Sequence, residues 1–229
     1  MHLLVRAAAQ SLIAPDRRRW QRAAAAIEKA LFGAEGATAS PRRLARMSTR
    51  PLGTLRGPMP IVIGVTGHRD LRPQDVPHLE TRVRAIFAEF RRTYPNTPLL
   101  VVSALAAGAD QLVARVALAP PYEIPVIVPM PFEQAEYELD FAADEREVFR
   151  DLLARARHSF FVGYAEGNDG TAIGMRAGRA LQYAEVGAFV ARNCQALIAL
   201  WDGRHSERIG GTSWVVDMML RGRATGTKR

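Results

Sequence analysis

From Ile61 onward, short apolar runs of strand length alternate with longer stretches that repeat apolar residues at helical period, which restricts the chain to βαβ units on a parallel sheet. The runs 61–65, 99–103, 124–128, 160–163 and 196–201 read as strands. Between them, 76–93 places Leu79, Val83, Ile86, Phe87 and Phe90 on one stripe, and 110–118 continues with Leu112, Val113 and Val116. Stretch 143–156 carries Val148, Phe149, Leu152 and Leu153, 177–194 carries Leu181, Val186, Phe189 and Val190, and a short last helix covers 212–220. The expected fold class is α/β, a Rossmann-like three-layer sandwich with a mostly parallel sheet of at least five strands. No internal repeat or coiled-coil heptad interrupts the pattern.

Residues 1–58 read as a basic, Ala- and Arg-rich, partly disordered N-terminal extension ahead of a folded domain over 59–229. Within it, 16–32 is expected to be helical, with Trp20, Ala24, Ile27 and Leu31 in phase and Asp16 as the cap. The composition is that of an arginine-rich leader, and Met59, just before the first strand, is an alternative start. Charge follows the same division. Eleven of the 31 basic and three of the 23 acidic residues lie in 1–60, so the remainder carries twenty of each and the net +8 belongs to the extension. Nucleic acid is therefore not the expected partner of the folded part, because such binding needs a basic face on the domain itself. A single cysteine, Cys194, excludes an internal disulfide framework or thiolate zinc site and fits a reducing, cytoplasmic setting. The longest apolar runs, 99–102 and 196–201, fall far short of the roughly 20 residues that span a bilayer, so no membrane association is expected.

In an open parallel sheet, ligands bind at the carboxyl ends of the strands, where loops lead into helix N-termini. After the first strand comes Gly64-Val65-Thr66-Gly67-His68-Arg69-Asp70. Gly64 and Gly67 permit close backbone approach, Thr66 offers a hydroxyl, and His68 and Arg69 can reach a phosphate. It is neither the three-glycine dinucleotide fingerprint nor a P-loop. After the second strand, Ser103-Ala104-Leu105-Ala106-Ala107-Gly108-Ala109-Asp110 gives a small-residue turn. Asp110 has two readings there, a ribose ligand or a carboxylate that complements the helix dipole. The third strand is expected to end in Val128-Pro129-Met130-Pro131-Phe132, where Pro129 and Pro131 fix a hydrophobic wall for a base or sugar. After the fifth come Trp201-Asp202-Gly203 and then Gly210-Gly211-Thr212-Ser213, whose glycine N–H groups and two hydroxyls make the better phosphate cradle.

Together, Val65-Thr66-Gly67-His68-Arg69, Ser103 to Asp110, Leu197-Ile198-Ala199-Leu200-Trp201-Asp202-Gly203 and Gly210-Gly211-Thr212 resemble the SLOG superfamily over about residues 60–220. That Rossmann-like group includes DNA-processing protein A and the lonely-guy phosphoribohydrolases. The resemblance implies a nucleotide, ADP-ribose-like or nucleotide-sugar ligand, with no other cofactor required. It also implies a catalytic glutamate three residues after the Gly-Gly-x-Gly-Thr threonine in the phosphoribohydrolases, but that position here is Val215. Asp217, two positions on, is roughly 200° further round the helix and is not expected to substitute. Related domains also continue into a further strand, whereas 221–229 contain no apolar run, so the sheet is expected to lack one edge strand or the chain to be truncated.

His2, His68, His78, His158 and His205 form no metal-ligand spacing, and there is no Gly-x-Ser-x-Gly elbow. The run Glu133, Glu136, Glu138, Asp140, Asp144, Glu145, Glu147 reads as a solvated acidic face. Within it Glu133, beside the proline turn, and outside it Asp110 are the candidate catalytic carboxylates, and Tyr137 and Phe141 read as a lid or as packing. The expected function is binding or sensing of a nucleotide derivative, with a homo-oligomer or effector partner as the readout. The alternatives are an N-glycosidase acting on nucleoside 5′-monophosphates and a single-stranded DNA binder.

Overall fold

The computed structural model of the chain describes residues 59–166, 168, 176–206 and 208–221, together with the backbone of 2–7. The strands are β1 (His2–Ala7), β2 (Ile61–Gly67), β3 (Leu99–Val102), β4 (Val126–Met130), β5 (His158–Phe161) and β6 (Ala196–Trp201). The helices are α1 (Val76–Thr93), α2 (Ala109–Leu118), α3 (Gln134–Tyr137), α4 (Ala143–Arg155), α5 (Arg176–Asn193) and α6 (Thr212–Arg221). The expected helix over 16–32 lies outside the described residues.

The sheet order is β1-β6-β2-β3-β4-β5. Strands β6, β2, β3, β4 and β5 are mutually parallel, as the alternating pattern requires. Helices cover both faces: α2 touches β2, β4, α1 and α4, while α5 and α6 pack on each other and on β2. Every residue of β3 and β4 is buried, as expected for central strands covered on both sides. α1 shows how local sequence meets this plan. Leu79, Val83 and Phe87 of its apolar stripe are buried, Pro77 sits in the first turn, and Arg91 and Arg92 face the negative end of the helix dipole. Phe87 meets the Tyr122 ring at 5.6 Å between centroids.

Three features differ from the sequence reading. First, His2–Ala7 pairs antiparallel with β6 along its whole length, from His2↔Trp201 to Ala7↔Ala196, and forms the edge of the sheet beside it. A six-residue run carries no local sign of a partner at the far end of the chain. Second, β4 begins and ends two residues late. The Ile124 N–H is spent on the Ala117 carbonyl at the end of α2, 2.8 Å away, and Glu123 has φ 46°, so the ladder begins only at the Pro125 carbonyl, which accepts the Val101 N–H at 3.0 Å. Pro129 is consequently a buried residue within β4 rather than in the turn beyond it. Its missing N–H is tolerated because it faces the β3 side one step beyond the end of β3, where Ser103 makes the last bond to Ile127. Third, β5 is shifted to His158–Phe161, since the Arg157 N–H already bonds Val126 and Gly163, at φ 87°, turns the chain away.

Beyond β4, Phe132, Tyr137, Phe141 and Phe149 form a buried aromatic cluster, with the Tyr137 ring 5.0 Å from Phe141 and 5.4 Å from Phe149. Tyr137 and Phe141 are thus core packing and not a lid. Cys194 is buried, and burial pushes its thiol up to about 12, so it stays protonated and unreactive. No described helix is long and apolar enough to cross a membrane.

Candidate functional site

From β2 the chain steps successively through β3, β4 and β5 on one side, while β6 lies on the other, so the order reverses between β2 and β6. At such a reversal the two outgoing loops diverge and leave a crevice beyond the carboxyl ends. The β2–β6 register ends at Gly67↔Leu200 and is prolonged by the His68 N–H, which donates to the Leu200 carbonyl at 3.0 Å. This brings His68 opposite Asp202. His68 Nε2 lies 3.1 Å from Asp202 Oδ1 and 3.4 Å from the Asp202 backbone nitrogen. The same ring nitrogen therefore donates to the carboxylate when it carries a hydrogen and accepts the amide hydrogen when it does not. The Arg204 N–H, 3.0 Å from Oδ1, and His68 together hold the Asp202 carboxyl below its ordinary range. Trp201, half-buried at the end of β6, donates through Nε1 to the Arg204 carbonyl and meets the His205 ring edge-on.

The β3 turn packs against the same place. Gly108 has φ 78°, and a Cβ on it would lie 2.1 Å from the Arg69 carbonyl oxygen, so only glycine fits. Next to it the Ala109 N–H, the first of α2, donates to the His68 carbonyl at 3.0 Å, and a Cβ on Gly67 would collide with Ala109 at 2.3 Å. Gly64 lies deeper in β2, beneath Cys194 and Val190 of α5. These glycines therefore serve close approach of protein to protein.

Asp110 turns back into its own loop. Its Oδ2 accepts the Ser103 hydroxyl at 3.0 Å, and the backbone N–H groups of Ala104 and Ala106 also point at it. Desolvation by burial pushes its carboxyl up to about 7 in spite of these bonds and of nearby Arg69. The loop it stabilises is itself strained, with Leu105 at φ 56° and its N–H on Ser103 Oγ at 3.2 Å. Asp110 lies in the first turn of α2, as the dipole reading requires, and its carboxyl is also bonded within its own loop. Ser103 is likewise fully buried.

The second glycine loop is also partly consumed. Gly210, φ 78°, faces α5 so closely that a Cβ would lie 2.6 Å from the Ala184 nitrogen. The Ser213 hydroxyl donates to the Ser206 carbonyl and accepts the Ser206 N–H, both at 3.1 Å, which closes the loop on itself. Gly211 and Thr212 remain half-buried. Val215, at the position where the resemblance implies glutamate, is buried between α6 and α5 and touches Gly187, where an added Cβ would sit 2.6 Å from Val215 Cγ2. Asp217 is buried on another side of α6, with Oδ2 3.7 Å from His205 Nδ1 and Oδ1 3.5 Å from Arg221. Thr66 is half-buried in β2 beside this crevice. Glu133 is exposed, just ahead of α3, and among the described residues makes no hydrogen bond or ion pair to His68, Arg69 or Asp202.

Arg69 leads to a second group of polar side chains, which includes Arg179 and Tyr183 of α5. Its Nη2 donates to the Asp140 carbonyl at 2.7 Å, and its guanidinium lies 5.7 Å from the Phe141 ring centre. Asp140 also faces α5, with Oδ2 2.7 Å from Arg179 Nη2 and hydrogen-bonded to the Tyr183 hydroxyl. Glu136 pairs with Arg179 Nη1, and the Arg179 guanidinium stacks 4.2 Å from the Phe132 ring centre. Burial opposes the Arg179 charge, but the neighbouring Asp140 and Glu136 carboxylates outweigh that and hold the guanidinium above its ordinary value. Burial and Asp140 push the Tyr183 phenol up, so it remains a donor. The acidic run is thus not a solvated face throughout: Glu136 and Asp140, four residues apart, match Arg179 and Tyr183, four residues apart on α5. That shared spacing was the available signal. Among the described residues no group of three or more His, Cys, Asp or Glu side chains converges as metal ligands do. No protein-family model and no curated protein matches the chain in sequence.

Proposed function

We propose that this chain binds or senses a nucleotide-derived ligand, a nucleotide, an ADP-ribose-like molecule or a nucleotide sugar, in the crevice between the β2 and β6 loops. The observation that carries the reading is the apposition of His68 and Asp202, 3.1 Å apart across the strand-order reversal, with exposed Arg69 alongside. An imidazole and a guanidinium suit a phosphate, while Asp202 and the Trp201 indole suit sugar hydroxyls and an apolar ring. Membership of the SLOG superfamily is part of this proposal and rests on the motifs quoted above. Binding is favoured over N-glycosidic cleavage because Val215 offers no carboxylate and packs against α5. On this reading the readout is a change in contact with a second copy or an effector protein.

The test is thermal stabilisation of the full chain by AMP, ADP-ribose, NAD and a nucleotide sugar, followed by analysis of the recovered ligand. We expect ADP-ribose or a close relative to raise the melting temperature, to lose that effect in Arg69→Ala and Thr212→Ala, and to be recovered intact. Release of free base and ribose phosphate would instead establish an N-glycosidase. Absence of stabilisation by every ligand ends the nucleotide reading.

A further inference from the structure

Two arginines and a phenol converge at the ligand edge of the sheet, and what they hold is one of the chain's own carboxylates. Asp140 receives the Tyr183 hydroxyl and lies 2.7 Å from Arg179 Nη2, while its backbone carbonyl takes Arg69 Nη2. Arg179 is mostly buried, its side chain 22% exposed, and lies against the Phe132 face, a position that costs desolvation unless a strong anion compensates it. The compensation is incomplete. Although Asp140 Oδ2 is close, Arg179 Nη2 is buried and has no acceptor aligned with its N–H bonds. Asp140 Oδ2, which also takes the Tyr183 hydroxyl, lies within ion-pair distance of Nη2 but off the direction of its N–H bonds. The remainder of segment 133–141 is anchored independently, by Arg146 on the Glu138 and Phe141 carbonyls and by Arg150 on the Glu138 carboxylate. The Asp140 side chain, 20% exposed, can therefore swing toward solvent without unseating the backbone.

We propose that Arg179, Tyr183 and Arg69 form a phosphate subsite that Asp140 fills in the free protein, and that a ligand's phosphate or diphosphate displaces the Asp140 carboxylate. A tetrahedral phosphate offers three free oxygens and a second charge, so it satisfies Arg179 Nη2 and the Tyr183 hydroxyl together and leaves an oxygen for Arg69. The subsite deepens the nucleotide reading by giving the anionic end of the ligand a seat, and to that extent rests on it. Self-occupancy makes binding selective, since a monoanion has little to gain over Asp140 and a dianion has more.

The experiment is titration calorimetry with inorganic pyrophosphate, which carries neither base nor ribose, on the full chain and three variants. We expect Asp140→Asn to bind pyrophosphate about tenfold more tightly than wild type, and Asp140→Asn/Arg179→Gln to lose that gain. Glu147→Gln, an exposed carboxylate on α4, controls for the general change in charge and is expected to shift affinity little. An Asp140→Asn affinity no tighter than that of Glu147→Gln overturns the proposal, as does retention of the gain in the double variant. Should Asp140→Asn fail to fold, guanidinium NMR of the wild-type protein decides. Saturable pyrophosphate-dependent shifts of the Arg179 signals, with those of Arg150 unmoved, support the subsite, and unmoved Arg179 signals refute it. Pyrophosphate binding without any nucleotide effect would refute the nucleotide reading alone, and the reverse result would refute the subsite alone.

Discussion

Burial gives the Asp110 carboxyl a value near 7 in the folded protein against an ordinary 3.8, so the folded state holds a proton that the unfolded chain has already released over that interval. Ionising this group costs stability. The cost is full above pH 7 and is relieved as pH falls through 7 toward 4, on the order of a few kcal/mol in all. Asp110→Asn removes the ionisation while keeping a side chain that can still meet Ser103. Calorimetric melting at pH 5 and pH 8 should therefore show wild type ahead of the variant at pH 5 and that lead shrinking or inverting at pH 8. A pH-independent difference would assign the stability of this loop to something other than Asp110 ionisation. Gly108 gives a second residue-scale prediction. Gly108→Ala forces a Cβ to within 2.1 Å of the Arg69 carbonyl at a backbone angle alanine resists, and should cost about 2–4 kcal/mol by chemical denaturation. Glycines were visible in the sequence, but their purpose was not. A glycine that admits a ligand and one that admits a neighbouring strand or helix are written identically, and at Gly64, Gly67, Gly108 and Gly210 an added Cβ would meet protein atoms.

The elements were largely legible because each helix carries its own apolar stripe and each central strand is apolar throughout. α1 falls on 76–93 as read, and β6 on 196–201. What escaped depended on partners distant in the chain. β4 slipped by two residues because Ile124 is claimed by the end of α2, and the Arg179–Glu136 pair joins residues 43 apart. β1 escaped most completely, since its partner is β6. A chain beginning at Met59 would leave the outer edge of β6 unpaired, a template for association with other chains. We expect that truncation to speed amide exchange in 196–201 and to raise self-association by light scattering. Unchanged exchange there would mean that β1 contributes nothing to the sheet.

At the scale of the whole molecule, the two candidate ligand contacts, the His68–Asp202 crevice and the Arg179–Tyr183 cluster, both lie where loops leave the same end of one sheet, and Arg69 touches the second from the first. A ligand bound there at a hundred times its Kd would add about 2.7 kcal/mol of stability. For a chain of this size that raises Tm by about 5–10 °C, which differential scanning fluorimetry resolves readily. A shift that survives Arg69→Ala would place the ligand elsewhere.

The pairing of His2–Ala7 with Ala196–Trp201 also bears on how the molecule is made. Among the described strands β1 is synthesised first, yet β6, the strand it pairs with, is synthesised last. Closing a loop of that length adds little entropy beyond that of a shorter one, but the contact must wait for β2 to receive β6. Of the described strands, the one made first is therefore the last that can be placed, and until then its backbone depends on solvent or a chaperone to stay unpaired.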